Sequence, residues 1–303
     1  MADKARVALR YLLLLCCFWL PAARRKKMER WLRGREEFKK LERADWVVVS
    51  WGKSGRTWLR VMLSRAYTLK AGLPASQLLE FDNLKQQDAR LPAVFFTHNN
   101  YLPDYTGNED SRSHFKGKRV VLLVRDPRDV AVSQFFQWRF RMRPHKKFIN
   151  DYPPHGADID TWNFVLDKRA GAPRIIDCFN GWVDAIGELQ HILVVRYEDL
   201  RADPAAELQR ILDFTGTGVS PEQVREAVDF AAYDNMKKME AEGFFKGSGA
   251  RVKAGDNTNP QSYKVRKAKV GGYRDYFTDE QCAQLEHMVS ELHPSFGYGN
   301  QST

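Results

Sequence analysis

Residues 46–58 read WVVVSWGKSGRTW, and this stretch decides the fold. Its first part, Trp46–Ser50, is an unbroken apolar run of the kind found in strands that are buried on both faces of a parallel sheet. A cationic loop, GKSG at 52–55, follows and leads into a segment with helical spacing. Because the N–H groups at a helix N-terminus bind anions, this strand, loop and helix together predict an anion-binding turn.

A second buried strand is predicted at 120–124 (VVLLV), and it leads into RDPRD at 125–129 and then Ser133 on a helical stretch. The runs VFFT at 94–97 and ILVVR at 192–196 predict two further strands. Strands that alternate with helices predict an α/β fold with a central parallel sheet flanked by helices. The two cationic loops would then lie side by side at the carboxyl edge of the sheet, where a nucleotide with phosphates at both ends would fit.

The GKS sequence at 52–54 resembles the end of a Walker A loop, which requires G-x-x-x-x-G-K-[ST]. Five residues before Gly52 lies Val47, inside the predicted strand, so the loop is too short. The strand at 120–124 is followed by Arg125 instead of the Asp that would hold magnesium. Both departures disfavour a magnesium NTPase, and a P-loop-like nucleotide kinase is kept as an alternative.

These motifs together resemble those of the sulfotransferases that use PAPS (3′-phosphoadenosine 5′-phosphosulfate), in a cytosolic-type, bacterial-like variant. KSGRTW at 53–58 is similar to the family's 5′-phosphosulfate loop, PKSGTTW, and RDPRDVAVS at 125–133 is similar to its 3′-phosphate motif. YEDL at 197–200 and RKAKVG at 266–271 match two further landmarks, YEDL and RKGxxG. The motifs occur in the family's order and cover nearly the whole chain after its first forty-odd residues.

The resemblance implies a three-layer, P-loop-like form of the α/β fold. It also implies a sulfuryl transfer from PAPS to an acceptor hydroxyl or amine, with PAP (adenosine 3′,5′-bisphosphate) as product and no metal. The catalytic residues would be Lys53, which stabilises the leaving group, and His98, which follows the run at 94–97 and acts as general base. The implied donor-binding residues are Lys53, Ser54, Gly55, Arg56, Thr57, Trp58, Arg125, Ser133, Tyr197, Tyr233, Arg266, Lys267 and Ala268.

The chain departs from the family pattern at several positions. Gly52 replaces the usual Pro, and Arg56 replaces the usual Thr, as in bacterial-type members. Ala268 stands where the family has Gly, and Ala231 where it has a Thr that contacts adenine. The family's dimer motif, KxxxTVxxxE, would fall at Arg274, Thr278, Asp279 and Ala283. Three of those four are altered, so that dimer is not predicted.

Residues 1–43 are predicted to form an apolar and basic leader, and 44–303 the sulfotransferase domain. The apolar run at 11–20 is too short to span a bilayer, and RRKK follows at 24–27. This pattern favours an amphipathic helix that lies on an anionic membrane through residues 7–27. The alternative is a leader helix packed on the domain's own surface.

The net charge of +10 indicates an anionic partner, and the lack of zinc-finger or RNP-type motifs argues against nucleic acid. The four cysteines have no metal-binding or disulfide-framework spacing, which favours a reducing, cytoplasmic setting. In that setting the leader would contact the inner face of a membrane.

The acceptor is predicted to be a hydroxyl-bearing molecule, a lipid or a carbohydrate, held by loops at 141–173 and 243–259. The stretch at 141–173 is expected to be a mobile loop with short helical pieces. A last alternative is a non-catalytic, membrane-peripheral protein that binds PAP or acidic lipids.

Overall fold

The computed structural model describes residues 2–108, 112–245, 252, 259–266 and 268–298. Over these residues there are four strands and fourteen α-helices. The strands are β1 (Trp46–Ser50), β2 (Val94–Thr97), β3 (Arg119–Val124) and β4 (Ile192–Arg196). The helices are α1 (Ala2–Cys16), α2 (Ala22–Arg43), α3 (Arg56–Ala71), α4 (Leu102–Thr106), α5 (Pro127–Phe140), α6 (Pro144–Ile149), α7 (Thr161–Leu166), α8 (Ala172–Asn180), α9 (Val183–Glu188), α10 (Tyr197–Ala202), α11 (Pro204–Thr215), α12 (Pro221–Phe230), α13 (Tyr233–Glu242) and α14 (Asp279–Val289).

The strands form one parallel sheet in the order β2-β1-β3-β4. In this register Val47 of β1 lies between Phe95 of β2 and Val120 of β3. Because all four strands run the same way, their carboxyl ends meet at one edge of the sheet. The loop after β1 is therefore flanked by the end of β2 on one side and the loop after β3 on the other.

Helices cover both faces of the sheet, and alternate residues of β1 belong to different cores. Val47 and Val49 pack in the cluster that includes Phe135 of α5. Val48 packs in the cluster that includes Leu59 and Met62 of α3. The predicted central parallel sheet flanked by helices is confirmed, because strands without polar alternation are buried on both sides.

The predicted leader folds back against the rest of the chain. In α1, Arg10 is buried and pairs with Glu36 of α2. In α2, Arg30 donates to Asp104 of α4 (Nη2–Oδ2, 2.8 Å), and Leu41 lies in the core. The second helix of the leader therefore packs against the chain that follows it. Of the helices described, none combines the length and apolar character needed to cross a bilayer.

The stretch at 141–173 contains the predicted helical pieces, in α6, in α7 and at the start of α8. Ile149, Phe164 and Val165 are fully buried, and the two α7 residues belong to the core beside α5. Apolar side chains at these positions pack the segment against the domain, which the sequence expectation of a loop had not included. Most of the predicted loop at 243–259 lies outside the described residues.

Candidate active site

A cavity of about 1300 Å³ lies at the carboxyl edge of the sheet. The predicted site residues that line it are Lys53, Gly55, Arg56, Thr57, Trp58, His98, Arg125, Ser133, Tyr197, Tyr233, Arg266 and Ala268. Ser54 does not line it and is fully buried beneath the loop. Lys267 lies outside the described residues. The sequence motifs therefore meet at one place, although they are spread over more than two hundred residues.

The loop after β1 turns sharply into α3. Lys53 has φ of 73° and Gly55 has φ of 96°, both in the left-handed region. A Cβ added at Gly55 would lie 2.5 Å from Cδ2 of Tyr197. Glycine is required here both by the backbone conformation and by the close approach of this ring. The contact brings the first turn of α3 against the start of α10.

The Lys53 ammonium is surrounded by cations. Burial, followed by the charges of Arg141, Arg266 and Arg125, lowers the pKa of Lys53 to about 7, while Glu240 opposes the shift. The charged form of Lys53 is therefore disfavoured until an anion enters the cavity.

His98 is held through both ring nitrogens. Its Nδ1 lies 2.6 Å from the carbonyl oxygen of Ser50, and its Nε2 lies 2.6 Å from Nη2 of Arg56. Since a guanidinium can only donate, Nε2 accepts, and Nδ1–H donates to Ser50. Burial and the Arg56 charge lower the pKa of His98 to about 3. The imidazole is thus neutral, with its basic nitrogen turned to Arg56.

A partly buried carboxylate that the sequence analysis missed supports the turn carrying His98. The Thr97 hydroxyl donates to Oε2 of Glu37 on α2 (3.0 Å) and accepts from the N–H of Asn99 (2.8 Å). Burial raises the pKa of Glu37 to about 7, although Thr97 and Arg56 oppose the shift. The leader therefore contributes a side chain directly behind the site.

The loop after β3 supplies Arg125, whose charge is already partnered. Its Nη2 donates to Oδ2 of Asp129 (3.2 Å), and its guanidinium lies 4.2 Å from the ring centroid of Tyr197. Its Nε is buried with no hydrogen-bond partner in the structure. An oriented guanidinium in the cavity wall, which Ser133 also lines, can bind a phosphate through its charge.

Asp129 also fastens the late segment that closes the cavity, a role that the sequence analysis missed. Its carboxylate accepts the N–H groups of Gly271 (3.0 Å) and Tyr273 (2.9 Å). In this segment Ala268, at the family's Gly position, has φ of 50°. Alanine thus takes the left-handed conformation that glycine adopts more easily, at some cost in strain.

Three predicted aromatic residues lie near one another in the cavity wall. Trp58 and Tyr197 pack edge to face with centroids 6.1 Å apart, and Trp58 Nε1 donates to the carbonyl of Ala231 (2.9 Å). The Tyr233 hydroxyl donates to the carbonyl of Arg266 (2.9 Å). These rings offer apolar faces of the kind that holds a base.

Further cavity residues come from parts of the chain that carry no motif. They are Asn99, Asn100, Arg112, Trp182 and Lys264, together with Met142, Tyr152, Lys168 and Arg169 from the predicted acceptor segment. Among the residues that the structure describes, no group of three or more His, Cys, Asp or Glu side chains is placed to hold a metal.

Residues 43–296 match the model of the sulfotransferase domain. Cytosolic sulfotransferase 17 of Arabidopsis thaliana is 25% identical over 285 residues, which is 87% of this chain and 78% of that protein. Sulfotransferase 2A1 of Homo sapiens is 22% identical over 276 residues, 85% of this chain and 86% of that protein.

Solved structures with the same fold include mouse sulfotransferase SULT7A1 complexed with PAP, with a TM-score of 0.54, 19% identity and coverage of 84% of this chain and 86% of that one. Retinol dehydratase in complex with androsterone and PAP has a TM-score of 0.53 and 19% identity, and the match covers 81% and 79% of the two chains. The predicted P-loop-like α/β fold is confirmed. The domain match decides against the kinase and the non-catalytic alternatives: this chain belongs to the sulfotransferase family and is an enzyme of that class.

Proposed function

We propose that this sulfotransferase takes its sulfuryl group from PAPS and transfers it to an acceptor hydroxyl. One observation carries the proposal: a single cavity joins the Lys53 loop to the Arg125 loop. A cavity with a cationic loop at each of two places suits a donor that carries a reacting phosphosulfate at one end and a 3′-phosphate at the other. The structural relatives that were solved with PAP support the same donor.

In this proposal the donor binds along the cavity. The first N–H groups of α3, at Arg56 and Thr57, would bind the phosphosulfate, and Arg125 and Ser133 the 3′-phosphate. Trp58, Tyr197 and Tyr233 would hold the adenine. Arg266, with its guanidinium 3.8 Å from the ring centroid of Phe136, would lie over the phosphate from the late segment.

The reaction would be an in-line displacement. The acceptor oxygen forms a bond to sulfur while the bond from sulfur to the bridging oxygen breaks, and its electron pair passes to the 5′-phosphate of PAP. Lys53, recharged by the bound anion, stabilises that leaving oxygen. The hydroxyl proton goes to Nε2 of His98.

For His98 to act as base, Arg56 must leave Nε2. Arg56 begins α3, where we expect the donor's anionic group to bind, so the donor can draw the guanidinium away from the ring. Losing this neighbouring charge would raise the pKa of His98 and open its basic nitrogen to the acceptor.

We further propose that α1 and the turn after it contact an anionic membrane, at the inner face of which a cytoplasmic enzyme would meet a lipid or glycolipid acceptor. Leu15, Phe18 and Trp19 are 68%, 72% and 71% exposed, and Arg24 and Arg25 follow, also exposed. Apolar side chains beside exposed cations complement an anionic bilayer surface.

The donor is tested first, by calorimetric titration with PAP, for which we expect micromolar or tighter binding. No binding of PAP would overturn the proposal. The acceptor is then sought with labelled PAPS against lipid extracts, carbohydrates and phenols. We expect His98→Ala to abolish transfer while PAP still binds, and His287→Ala, on the exposed face of α14, to have no effect.

Membrane contact is tested by sedimentation with vesicles. We expect binding to phosphatidylserine-containing vesicles that is lost in the Phe18→Ser, Trp19→Ser double variant and kept in Phe140→Ser, whose ring is exposed elsewhere. Equal binding by the double variant and the parent would contradict this contact.

A further inference from the structure

The late segment that enters the cavity is anchored by a buried carboxylate. Glu240 on α13 is only 1% exposed. Its Oε1 accepts the N–H of Lys264 (2.7 Å), and its Oε2 accepts the N–H of Val265 (2.9 Å). These two hydrogen bonds to one buried side chain fix the backbone position of Lys264. The residue lines the cavity wall.

The same carboxylate also faces a guanidinium. Nη1 of Arg141 lies 3.6 Å from Oε1 of Glu240, and this nitrogen also donates to the carbonyl of Ser262. The Glu240 carboxylate therefore faces Arg141 and two backbone N–H groups, and its charge also acts on Lys264 and Lys53. Both lysines line the cavity, where their charges favour an anionic ligand.

The charged neighbours of Lys264 come from both sides of the candidate active site. Burial, and then Lys53, Arg141 and Arg56, lower the pKa of Lys264 well below its usual range. Lys53 is on the donor side, with its carbonyl 3.3 Å from Nη1 of Arg125, whereas Arg56 contacts His98. Lys264 lines the same cavity as Lys53 and His98, and its charge acts on both groups, so its side chain borders the region between the leaving group and the base.

We propose that Lys264 is a second catalytic lysine, which contacts the sulfuryl oxygens of PAPS while Lys53 serves the leaving oxygen. In an in-line transfer the sulfur lies between the phosphate and the acceptor, and this is the region that Lys264 enters. Lys264 exchanges no proton in the step; its positive charge stabilises the sulfuryl oxygens as the bond to the phosphate breaks. This inference rests on the proposed PAPS-dependent function.

The test compares two nucleotides that differ only in the sulfuryl group. PAPS and PAP are titrated calorimetrically into the parent enzyme, Lys264→Met, Lys264→Arg and the control Lys238→Met, whose side chain is exposed on α13. We expect Lys264→Met to weaken PAPS binding about 10- to 100-fold and PAP binding by less than about threefold. Lys264→Arg should recover part of the loss, and Lys238→Met should match the parent.

The outcomes separate the possible failures. Equal losses for PAPS and PAP would mean that Lys264 acts on the phosphate or on folding, and an unchanged PAPS affinity would mean that it makes no contact; either overturns the inference. If Lys264→Met does not fold, Lys264→Gln gives the same PAPS-to-PAP ratio. A parent enzyme that binds neither nucleotide would overturn the proposed function itself.

Discussion

The two cationic loops at the edge of the sheet differ in how their charges are balanced. In the loop after β3, Arg125 pairs with Asp129, and Arg128 pairs with Asp126 (2.7 Å). In the loop after β1, Lys53 lies among Arg141, Arg266 and Arg125 instead. One loop is electrostatically complete before a ligand arrives and the other is not. We infer that the first is built to bind and the second to respond to the anion that reacts.

The comparison is tested most strongly at Lys53. We expect Lys53→Met to lower the rate of sulfuryl transfer about 1000-fold, because the leaving oxygen loses its charge stabilisation, while the Kd for PAP changes by less than about tenfold. Transfer from labelled PAPS and calorimetry with PAP measure the two effects. Lys39→Met, on the exposed side of α2, is the control. An equal loss in rate and affinity would remove the distinction between the loops.

Arg125→Ala, unlike Lys53→Met, should act mainly on nucleotide affinity. We expect the Kd for PAP to rise about 100-fold, since a charge-assisted pair with the 3′-phosphate is lost. The Kd for adenosine 5′-phosphosulfate, which lacks that phosphate, should change by less than about threefold. Calorimetry with both nucleotides gives the comparison, and Arg125→Lys should fall between the two. A similar loss for both nucleotides would place the effect outside the 3′-phosphate.

The pH dependence of PAP binding should report the charge of Lys53. Its pKa is lowered to about 7 in the free protein, and a bound anion raises it. Above pH 7, binding must therefore take up a proton, and the affinity should fall with rising pH, by less than about tenfold in all, until the pH passes the raised pKa. Calorimetry at pH 6 to 9, in buffers of different ionisation enthalpy, measures both. Lys53→Met should flatten the dependence; an unchanged slope would assign the proton to another group.

The smallest effect is expected at the contact between Arg56 and His98. Arg56→Thr, the usual family residue, should raise the pKa of His98 above its value of about 3 but not restore the ordinary value, because the Arg56 charge is removed while burial remains. NMR titration of the imidazole measures the change. An unchanged pKa would mean that burial alone lowers the pKa of His98. Moving Arg56 away on donor binding would then not make His98 more basic.

The local parts of the fold and site could be predicted from the sequence, whereas the supporting residues could not. The unbroken apolar runs at 46–50 and 120–124 predict buried strands because the pattern itself is local. Glu37 supports Thr97 from sixty residues away, and Glu240 supports Lys264 from twenty-four. Nothing in the sequence of α2 marks Glu37, among several glutamates, as the one that contacts the turn after β2. Only the packing of the helix decides which one faces the sheet.

The double role of Asp129 has a kinetic consequence. The same carboxylate holds Arg125 and the N–H groups of Gly271 and Tyr273, all in the cavity wall or beside it. In the proposed complex these bonds would hold the 268–273 segment against the bound nucleotide. Release of PAP would then require this segment to move and break them. The residence time of the product, and with it the ceiling on turnover, would then be set by one aspartate that never touches sulfur.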